Sequence, residues 1–344
     1  MAGLALILTN LLDRSVGAQA EGTARLPALE LLLARAQPDT LKPDWRQWLA
    51  RRIALPERCA PAELAALAFR DGLHLPDAPL SRVHHWFATP LHFFAGIDSV
   101  HLHPQGVLQL SAEEQQRLAQ EFASVFAGSP WSLSAIGQRE LLLTGPPLYA
   151  SAEDPLQLLS RAPDACLPRG PDANALRRLG SEIELWLHEH PLNLERARHG
   201  QLPVTGLWLW GGALQADAEE IPTSESLAPR MPLPLLYGRD SYAEAAWRLQ
   251  AQASYPLPPS FEAERALTGS HRDQIVLLPL RFELGLMPAL LELERHWLAP
   301  AVTAVRKRAI TTLFVLLAGR SYRLTWHHCI RVWRARAPWW EELR

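Results

Sequence analysis

Residues 184–212 read ELWLHEHPLNLERARHGQLPVTGLWLWGG and decide the fold, because a helical pattern passes into a buried strand within one short stretch. The helix begins near Asp172 and carries an apolar stripe at helical spacing, formed by Leu176, Leu179, Ile183, Trp186 and Leu187. Residues 206–212, GLWLWGG, are an apolar run closed by two glycines, which is typical of a buried strand. A helix that packs its stripe on such a strand indicates an α/β protein.

Strand and helix patterns alternate in both directions from this stretch. Toward the amino terminus, residues 4–9 predict a buried strand and residues 26–36 a helix. Toward the carboxyl terminus, helical and strand patterns follow each other at 241–252, 274–280, 286–305, 310–317 and 321–325. We therefore predict an α/β fold with a mostly parallel sheet that is covered by helices on both faces.

The middle of the chain has its own pattern. Residues 83–110 alternate aromatic and β-branched residues in the manner of strands, and Ser111 with Glu114 predicts a capping box at the start of a helix. We predict one large α/β unit over residues 1–344. Within it, residues 83–171 can form an inserted α+β lobe on a core made of 1–82 and 172–344.

Composition narrows the class of protein. The chain has 344 residues, 48% of them hydrophobic, and a formal net charge of −2, so it has no general affinity for polyanions. Its three cysteines are widely spaced, which suggests no disulfide framework and indicates a reducing compartment. No segment approaches the ~20 apolar residues of a membrane span, and the first apolar run lacks the pattern of a secretion signal. We therefore expect a cytoplasmic protein with no membrane partner.

The densest polar cluster lies in the central stretch and contains His188, His190, Asn193 and Arg196. Histidines two residues apart are poorly spaced for a zinc site on a helix, which uses positions i and i+4. A structural role is the first interpretation, in which His190 closes the helix while Asn193 and Arg196 hold the loop that follows. The second interpretation is a binding site that these side chains form with Trp208, Trp210 and Gly211.

Histidines are also frequent in the strand region, at positions 84, 85, 92, 101 and 103. Alternation along a strand places His101 and His103 on one face, close enough to share a metal ion. Asp98 is the only carboxylate at matching spacing. A metal site at His101 and His103 and a set of surface or hydrogen-bonded core histidines therefore remain as alternatives.

The carboxyl-terminal part of the chain is strongly basic. Residues 295–340 contain nine basic residues and no acidic one, and Arg331 and Arg334 flank Trp333. Basic residues interleaved with aromatic ones suit an acidic protein surface or single-stranded nucleic acid. The alternative is a solvated face that the acidic stretch at 217–225 balances.

As a whole, residues 184–212 resemble the middle signature of the archaeal-type cofactor-independent phosphoglycerate mutases, a His-Pro-x-Asn-x-x-Arg-x-x-x-Gly run before a buried strand that ends in glycines. The chain is more similar still to a bacterial family of regulatory proteins from pathogenicity-factor regulation clusters. The marks of that second family are LLARAQ at 32–37, ATPLHFFAGIDSVHL at 88–102, HWLAPAV at 296–302 and RLTWHHCIRVWRARAP at 323–338.

Resemblance to the mutases implies an alkaline-phosphatase-like fold, two divalent metal ions such as manganese or zinc, a serine nucleophile, and Asp and His ligands at strand ends. This chain departs from that pattern at each place. Asn10 follows the first strand where the enzymes carry Asp-Gly, so that Asp13 is the only carboxylate nearby. Cys59 stands where the serine is expected, residues 281–289 offer only Glu283, and Trp210 replaces an arginine.

Together these departures predict a scaffold without catalysis and without a bound cofactor, because phosphoryl transfer needs metal charge and a positioned nucleophile. We predict a regulatory or protein-interaction module whose partner is a protein. One alternative is a phosphoglycerate mutase or metal-dependent phosphatase with an altered site, which uses Asp13, Cys59 and manganese or zinc. Another is nucleic-acid binding through the basic carboxyl terminus. The oligomeric state stays open.

Overall fold

The chain forms two units, seen in a computed structural model. The first unit draws on residues 1–55, 229–240 and 251–344, and the second on residues 56–228 and 241–250. The second unit takes in the predicted lobe at 83–171 and also the central stretch, 184–212. The structure describes residues 3–9, 24–39, 45–55, 59–73, 83–95, 100–137, 140–159, 166–214, 233–263, 272–279, 285–317 and 319–342.

The chain contains both strands and α-helices, and several consecutive elements are of the same kind. The strands are β1 (Leu4–Leu8), β2 (Gln37–Asp39), β3 (His84–Ala95), β4 (Val100–Val107), β5 (Ser132–Ile136), β6 (Glu140–Gly145), β7 (Gly206–Trp210), β8 (Leu235–Tyr237), β9 (Ser254–Tyr255), β10 (Gln274–Leu278), β11 (Thr312–Leu317) and β12 (Arg320–Thr325). The helices are α1 (Pro27–Arg35), α2 (Trp45–Arg52), α3 (Pro61–Ala68), α4 (Ala112–Val125), α5 (Ala173–His188), α6 (Pro191–Arg198), α7 (Ser241–Leu249), α8 (Leu286–Leu293), α9 (Ala299–Arg306), α10 (Trp326–Cys329) and α11 (Trp339–Glu342). None of the described helices combines the length and the apolar character needed to cross a membrane.

A seven-stranded sheet forms the centre of the first unit, in the order β2-β12-β11-β1-β10-β8-β9. Strand β1 pairs in parallel with β10 and β11, and β8 pairs in parallel with β10 and β9. The pairings β11–β12 and β12–β2, at one edge, are antiparallel. This mostly parallel sheet confirms the α/β class that the sequence predicts.

Helices lie on both faces of this sheet, which is why β1 is buried along its whole length. On one face, Leu4, Leu6 and Leu8 share a core with α1, α8 and α9. The opposite face carries Phe314 of β11, whose ring centroid lies 5.8 Å from that of Trp48 in α2. Such covering agrees with the prediction that the alternation of strand and helix patterns makes.

Helix α1 is held at both ends by groups that are distant in sequence. Glu294 accepts hydrogen bonds from the backbone N–H groups of Ala28 at 2.6 Å and Leu29 at 3.1 Å, two donors that have no partner inside the helix. The N-cap residue, Leu26, supplies no side-chain hydrogen bond, so Glu294 replaces the local cap. At the other end, Arg35 Nη1 donates to the carbonyl oxygen of Cys329 at 2.7 Å.

The second unit contains an antiparallel sheet in the order β4-β3-β6-β5, and β7 also pairs with β3. All of these pairings are antiparallel. Its sequential pairs, β3–β4 and β5–β6, are joined by connections far shorter than the dozen or so residues that a parallel crossover requires. The strands of this unit therefore differ in arrangement from those of the first.

The two faces of the second sheet differ in polarity. One face is apolar and packs against α4 and α5 through residues such as Trp86, Leu133, Leu141, Leu143, Leu207 and Leu209. The other face, next to α3, carries His85, Thr89, Thr144 and Trp210, all buried. Buried polar groups need partners inside the protein, so this second face is a candidate for chemistry.

Local signals in the sequence predict several elements correctly. Ser111 Oγ accepts from the Glu114 N–H at 3.2 Å while Glu114 Oε2 accepts from the Ser111 N–H at 2.7 Å, which confirms the capping box. The predicted helix at 286–305 is present as α8 and α9, joined by a π-helical turn at Glu294–Leu298. One correction concerns residues 191–198, which were expected to be a turn and instead form α6.

We predict that Glu294→Ala lowers the free energy of unfolding by about 1–2 kcal/mol, because two N–H groups of α1 lose their acceptor. Urea denaturation of the variant and the natural protein measures the difference. The matched control is Glu292→Ala, an exposed glutamate near the end of the preceding helix α8, which should stay within about 0.5 kcal/mol of the natural protein. Equal effects of the two substitutions would contradict the capping role.

Candidate functional site

His190 is the second of the two residues that connect α5 to α6, and it caps α6. Its backbone is extended, at φ −67° and ψ 130°, and its Nδ1 accepts a hydrogen bond from the Leu192 N–H at 3.2 Å. Pro191 follows at the first helical position, where a missing N–H costs nothing. His190 is buried and His188 is exposed, so the structure separates the two histidines of the predicted cluster.

Asn193 and Arg196 fasten α6 to the loop that leads into β7. The Asn193 amide donates to the carbonyl oxygens of Leu187 and Val204, both at 2.9 Å, and accepts from the Val204 N–H at 2.7 Å. Arg196 Nε donates to the Leu202 carbonyl at 2.8 Å, and its Nη1 lies 2.5 Å from Glu114 Oε1. These side chains therefore use their polar groups within the fold, as the structural interpretation of the motif requires.

The environment of His190 lowers the pKa of its imidazole. Burial is the largest cause, and Arg117 contributes in the same direction. Glu121 and Glu195 act in the opposite sense, and Glu121 Oε2 lies 2.7 Å from His190 Nε2, in an orientation short of a well-aligned hydrogen bond. The neutral imidazole of His190 is thus the form that fits the N-cap position, because Nδ1 must be free of a proton to accept the hydrogen bond from the Leu192 N–H.

Both indoles of β7 are also engaged inside the second unit. Trp208 Nε1 donates to the Glu153 carbonyl at 2.8 Å, and Trp210 Nε1 donates to Thr89 Oγ1 at 2.8 Å. Gly211 adopts φ +76°, a conformation that favours glycine, and its carbonyl accepts from the Ala62 N–H at 2.9 Å. The strand end therefore joins α3 to the sheet.

His101 and His103 lie on β4 as predicted. The ring of His103 is 5.8 Å from that of His92 and 6.3 Å from that of Phe94, and its Nδ1 accepts from the Gln105 N–H at 3.1 Å. Within the described ranges, no group of three or more His, Cys, Asp and Glu side chains is arranged to hold a metal ion. Asp98, the carboxylate considered with them, lies outside the described residues.

Cys59, at the position expected for a nucleophile, is a poor thiolate. Burial, with a smaller contribution from Glu63, raises the pKa of its thiol to about 12. A nucleophilic cysteine needs a lowered pKa, which a helix N-terminus or a nearby cation can supply. Asp13 and Glu283, the carboxylates weighed for an altered metal site, lie outside the described residues.

A buried Glu63–His85 pair was missed by sequence reasoning. Glu63 Oε1 accepts from the His85 N–H at 2.8 Å, and Glu63 Oε2 lies 2.7 Å from His85 Nδ1. His85 Nε2 is buried and finds no hydrogen-bond partner among the described residues, and the same holds for Oγ1 of Thr144, its register neighbour on β6. In the sequence, the helical pattern that starts near Pro61 places Glu63 in its first turn, which says nothing about a strand 22 residues away.

The carboxyl-terminal loop, residues 330–338, is fixed at both ends. Cys329, just before it, is buried and receives the hydrogen bond from Arg35. Trp339, just after it, is 0% exposed and donates from Nε1 to the Ala24 carbonyl at 3.1 Å. The loop therefore spans two anchors in the core of the first unit.

Between its anchors the carboxyl-terminal loop exposes apolar and basic side chains together. Ile330 is 48% exposed, and Val332 and Trp333 are each 74% exposed. Arg331, Arg334 and Arg336 alternate with them and form no ion pair with any carboxylate that the structure describes. The pKa of His328 is lowered mainly by burial. The positive charge of Arg331 is the next largest cause, and Arg334 also contributes, so the charges of the loop reach a buried histidine beside it.

Comparison with known proteins finds structural likeness only. No family model and no curated protein sequence matches this chain. The chain is similar to a cofactor-independent phosphoglycerate mutase from Thermoplasma acidophilum DSM 1728, at 15% identity and a TM-score of 0.39, over 94% of this chain and 90% of that one. It is also similar to the PH0037 protein from Pyrococcus horikoshii, at 12% identity and a TM-score of 0.44, over 94% and 86% of the two chains. Scores below 0.5 leave function to be inferred from this chain's own residues.

We predict that Cys59 reacts slowly with iodoacetamide in the folded protein. With a pKa of about 12, its thiolate population at neutral pH is roughly 10³-fold below that of a free thiol. Peptide mapping by mass spectrometry after timed labelling resolves each cysteine, and labelling in urea gives the reactivity of the same peptide without the fold. Rapid labelling of Cys59 in the native protein would contradict this prediction and would support a role for Cys59 as a nucleophile.

We predict that the protein loses stability as pH falls below about 6.5, the ordinary value for histidine. Because the pKa values of His190 and His328 are lowered in the folded state, the unfolded chain binds the proton more readily and protonation favours unfolding. His190→Asn keeps an N-cap acceptor without an imidazole, so its free energy of unfolding should decline less between pH 7.5 and 5.5. Urea denaturation at both pH values measures this, with exposed His188→Asn as the control.

Proposed function

We propose that this chain is a non-catalytic protein-binding module whose carboxyl-terminal loop docks on an acidic surface of a partner protein. The observation that carries the proposal is Trp333 and Val332, held exposed between Arg331 and Arg334 by a loop anchored at both ends. Tryptophan and arginine are the residues that most often dominate binding energy at protein interfaces. A regulatory role agrees with the resemblance of the sequence to the regulatory family.

Anchoring makes the loop suitable for binding. A loop held by Cys329 and Trp339 is ordered before the partner arrives, so association costs less conformational entropy. Exposed apolar area on Val332 and Trp333 supplies affinity when it is buried. The three arginines, which form no ion pair with a described carboxylate, favour an acidic partner and increase the rate of encounter.

Two departures from the mutase pattern support the non-catalytic part of the proposal. Cys59 replaces the expected serine, and the raised pKa of its thiol makes it a poor substitute. Trp210 replaces an expected arginine, and its indole is engaged with Thr89 instead of reaching for a phosphate. A coupled assay with manganese and 3-phosphoglycerate tests this part, and turnover above background would overturn it.

We predict that a photocrosslinking amino acid at position 333 captures a defined protein in cells of the source organism, whereas the same group at position 185 does not. Leu185 is the matched control, because it is 77% exposed on α5 and belongs to the second unit. With the captured partner purified, Trp333→Ala should weaken binding by roughly tenfold or more. Fluorescence anisotropy or calorimetry measures the affinity.

The charge component is tested separately with Arg331→Glu/Arg334→Glu. We expect this double variant to weaken binding by about tenfold or more and to reduce its salt dependence, since unpaired arginines face acidic groups of the partner. Arg177→Glu/Arg198→Glu, on exposed faces of α5 and α6, controls for total charge and should bind as the natural protein does. Equal binding by all variants would contradict docking through the loop, and capture of nucleic acid with a steep salt slope would replace the protein partner.

A further inference from the structure

A depression of about 380 Å³ opens at the amino ends of the parallel strands in the first unit. Gly3 lies there before β1, Asp273 before β10 and Thr312 at the start of β11. Ligands of open α/β sheets usually bind at the carboxyl ends of the strands, so this edge is not where the fold class alone would place a site. The depression also does not depend on the carboxyl-terminal loop.

Arg52, the last residue of α2, is held over this depression by aromatic rings. Its guanidinium carbon lies 4.8 Å from the ring centroid of Phe314 and 5.8 Å from that of Trp48. Stacking of this kind orients the planar guanidinium while its N–H groups stay free to donate. The side chain is 38% exposed, so a ligand in the depression can reach it.

Arg323 supplies a second guanidinium beside the same ring. It stands directly opposite Phe314 in the β11–β12 register, and residues paired in this way project from the same face of the sheet. Arg323 is exposed, lines the depression, and forms no ion pair with a carboxylate in the part of the chain that the structure describes. Two cations therefore flank one aromatic ring.

Asp273 is the one carboxylate among the described residues that line the depression. Asp273 Oδ2 lies 4.0 Å from Arg52 Nη2, while its Oδ1 accepts a hydrogen bond from the Gly3 N–H at 2.7 Å. Two guanidiniums and one carboxylate leave one positive charge without a counterpart. The side chain of Thr312 adds a hydroxyl to the lining, so the depression is rich in donors and short of acceptors.

We propose that this depression binds a small molecule through a singly charged oxyanion group, a phosphate monoanion or a carboxylate, held between Arg52 and Arg323. Guanidinium groups bind both kinds of oxyanion through paired N–H donors. Asp273 disfavours a more highly charged ligand, because like charges repel at this range. A volume near the lower end of the ~300–1,000 Å³ typical of ligand pockets suits a small metabolite.

Isothermal titration calorimetry on the full chain tests this proposal, with sodium phosphate at pH 6 and sodium acetate as separate probes and sodium chloride at equal ionic strength as the blank. We expect saturable binding of phosphate or acetate that chloride does not reproduce, and the stronger of the two identifies the oxyanion. Arg52→Gln and Arg323→Gln should each weaken binding by about tenfold or more. Arg52→Lys and Arg323→Lys keep the positive charge but lose the paired N–H donors of guanidinium. Their affinities should lie between those of the natural protein and the Gln variants.

Arg320→Gln is the matched control, since Arg320 is exposed on the same strand but alternates to the other face. It should bind as the natural protein does, and circular dichroism confirms that each variant is folded. Absence of saturable binding in the natural protein overturns the proposal. Unchanged binding in the Arg52 and Arg323 variants also overturns the proposal. An equal loss of affinity in Arg320→Gln does so too, because it would show that binding depends only on net charge. None of these results bears on the carboxyl-terminal loop.

Discussion

The need of helix ends for partners is the constraint on which the first unit depends most. Helix α1 begins without a capping side chain of its own, and its first N–H groups are satisfied by Glu294 from the π-helical turn between α8 and α9. At its other end, Arg35 reaches the carbonyl of Cys329. These three hydrogen bonds join α1 to the π-helical turn between α8 and α9 and to the residue before the carboxyl-terminal loop, and so position the exposed Trp333.

The same rule explains why the most site-like motif of the sequence is a structural clamp. A short loop returns from α6 to β7, and its backbone groups at Leu202 and Val204 need hydrogen bonds that no regular element supplies. Asn193 and Arg196 provide them, while His190 caps α6. Dense polar residues beside a buried strand are thus required by the fold here, and the pattern alone does not distinguish them from ligand-binding groups.

The distribution of charged residues says more about binding by this protein than its net charge does. The net charge of −2 is close to neutral, yet the first unit gathers arginines in the carboxyl-terminal loop and around the depression at Arg52 and Arg323. The loop pairs its arginines with exposed apolar side chains, which suits a protein surface. The depression pairs them with one carboxylate and an aromatic ring, which suits a small oxyanion.

Sequence by itself determined the elements whose signals are local: the buried strand β1, the stripe of α5 and the capping box at Ser111, because hydrophobic periodicity and caps act within a few residues. Only the tertiary structure decided which strands pair antiparallel, that Glu63 meets His85, and that Glu294 caps a helix 266 residues away. Such contacts join residues that are distant in sequence, so they depend on how the whole chain folds. The chemistry of a glutamate side chain permits many hydrogen-bond partners, and the packing of helices and sheets decides which partner lies within reach.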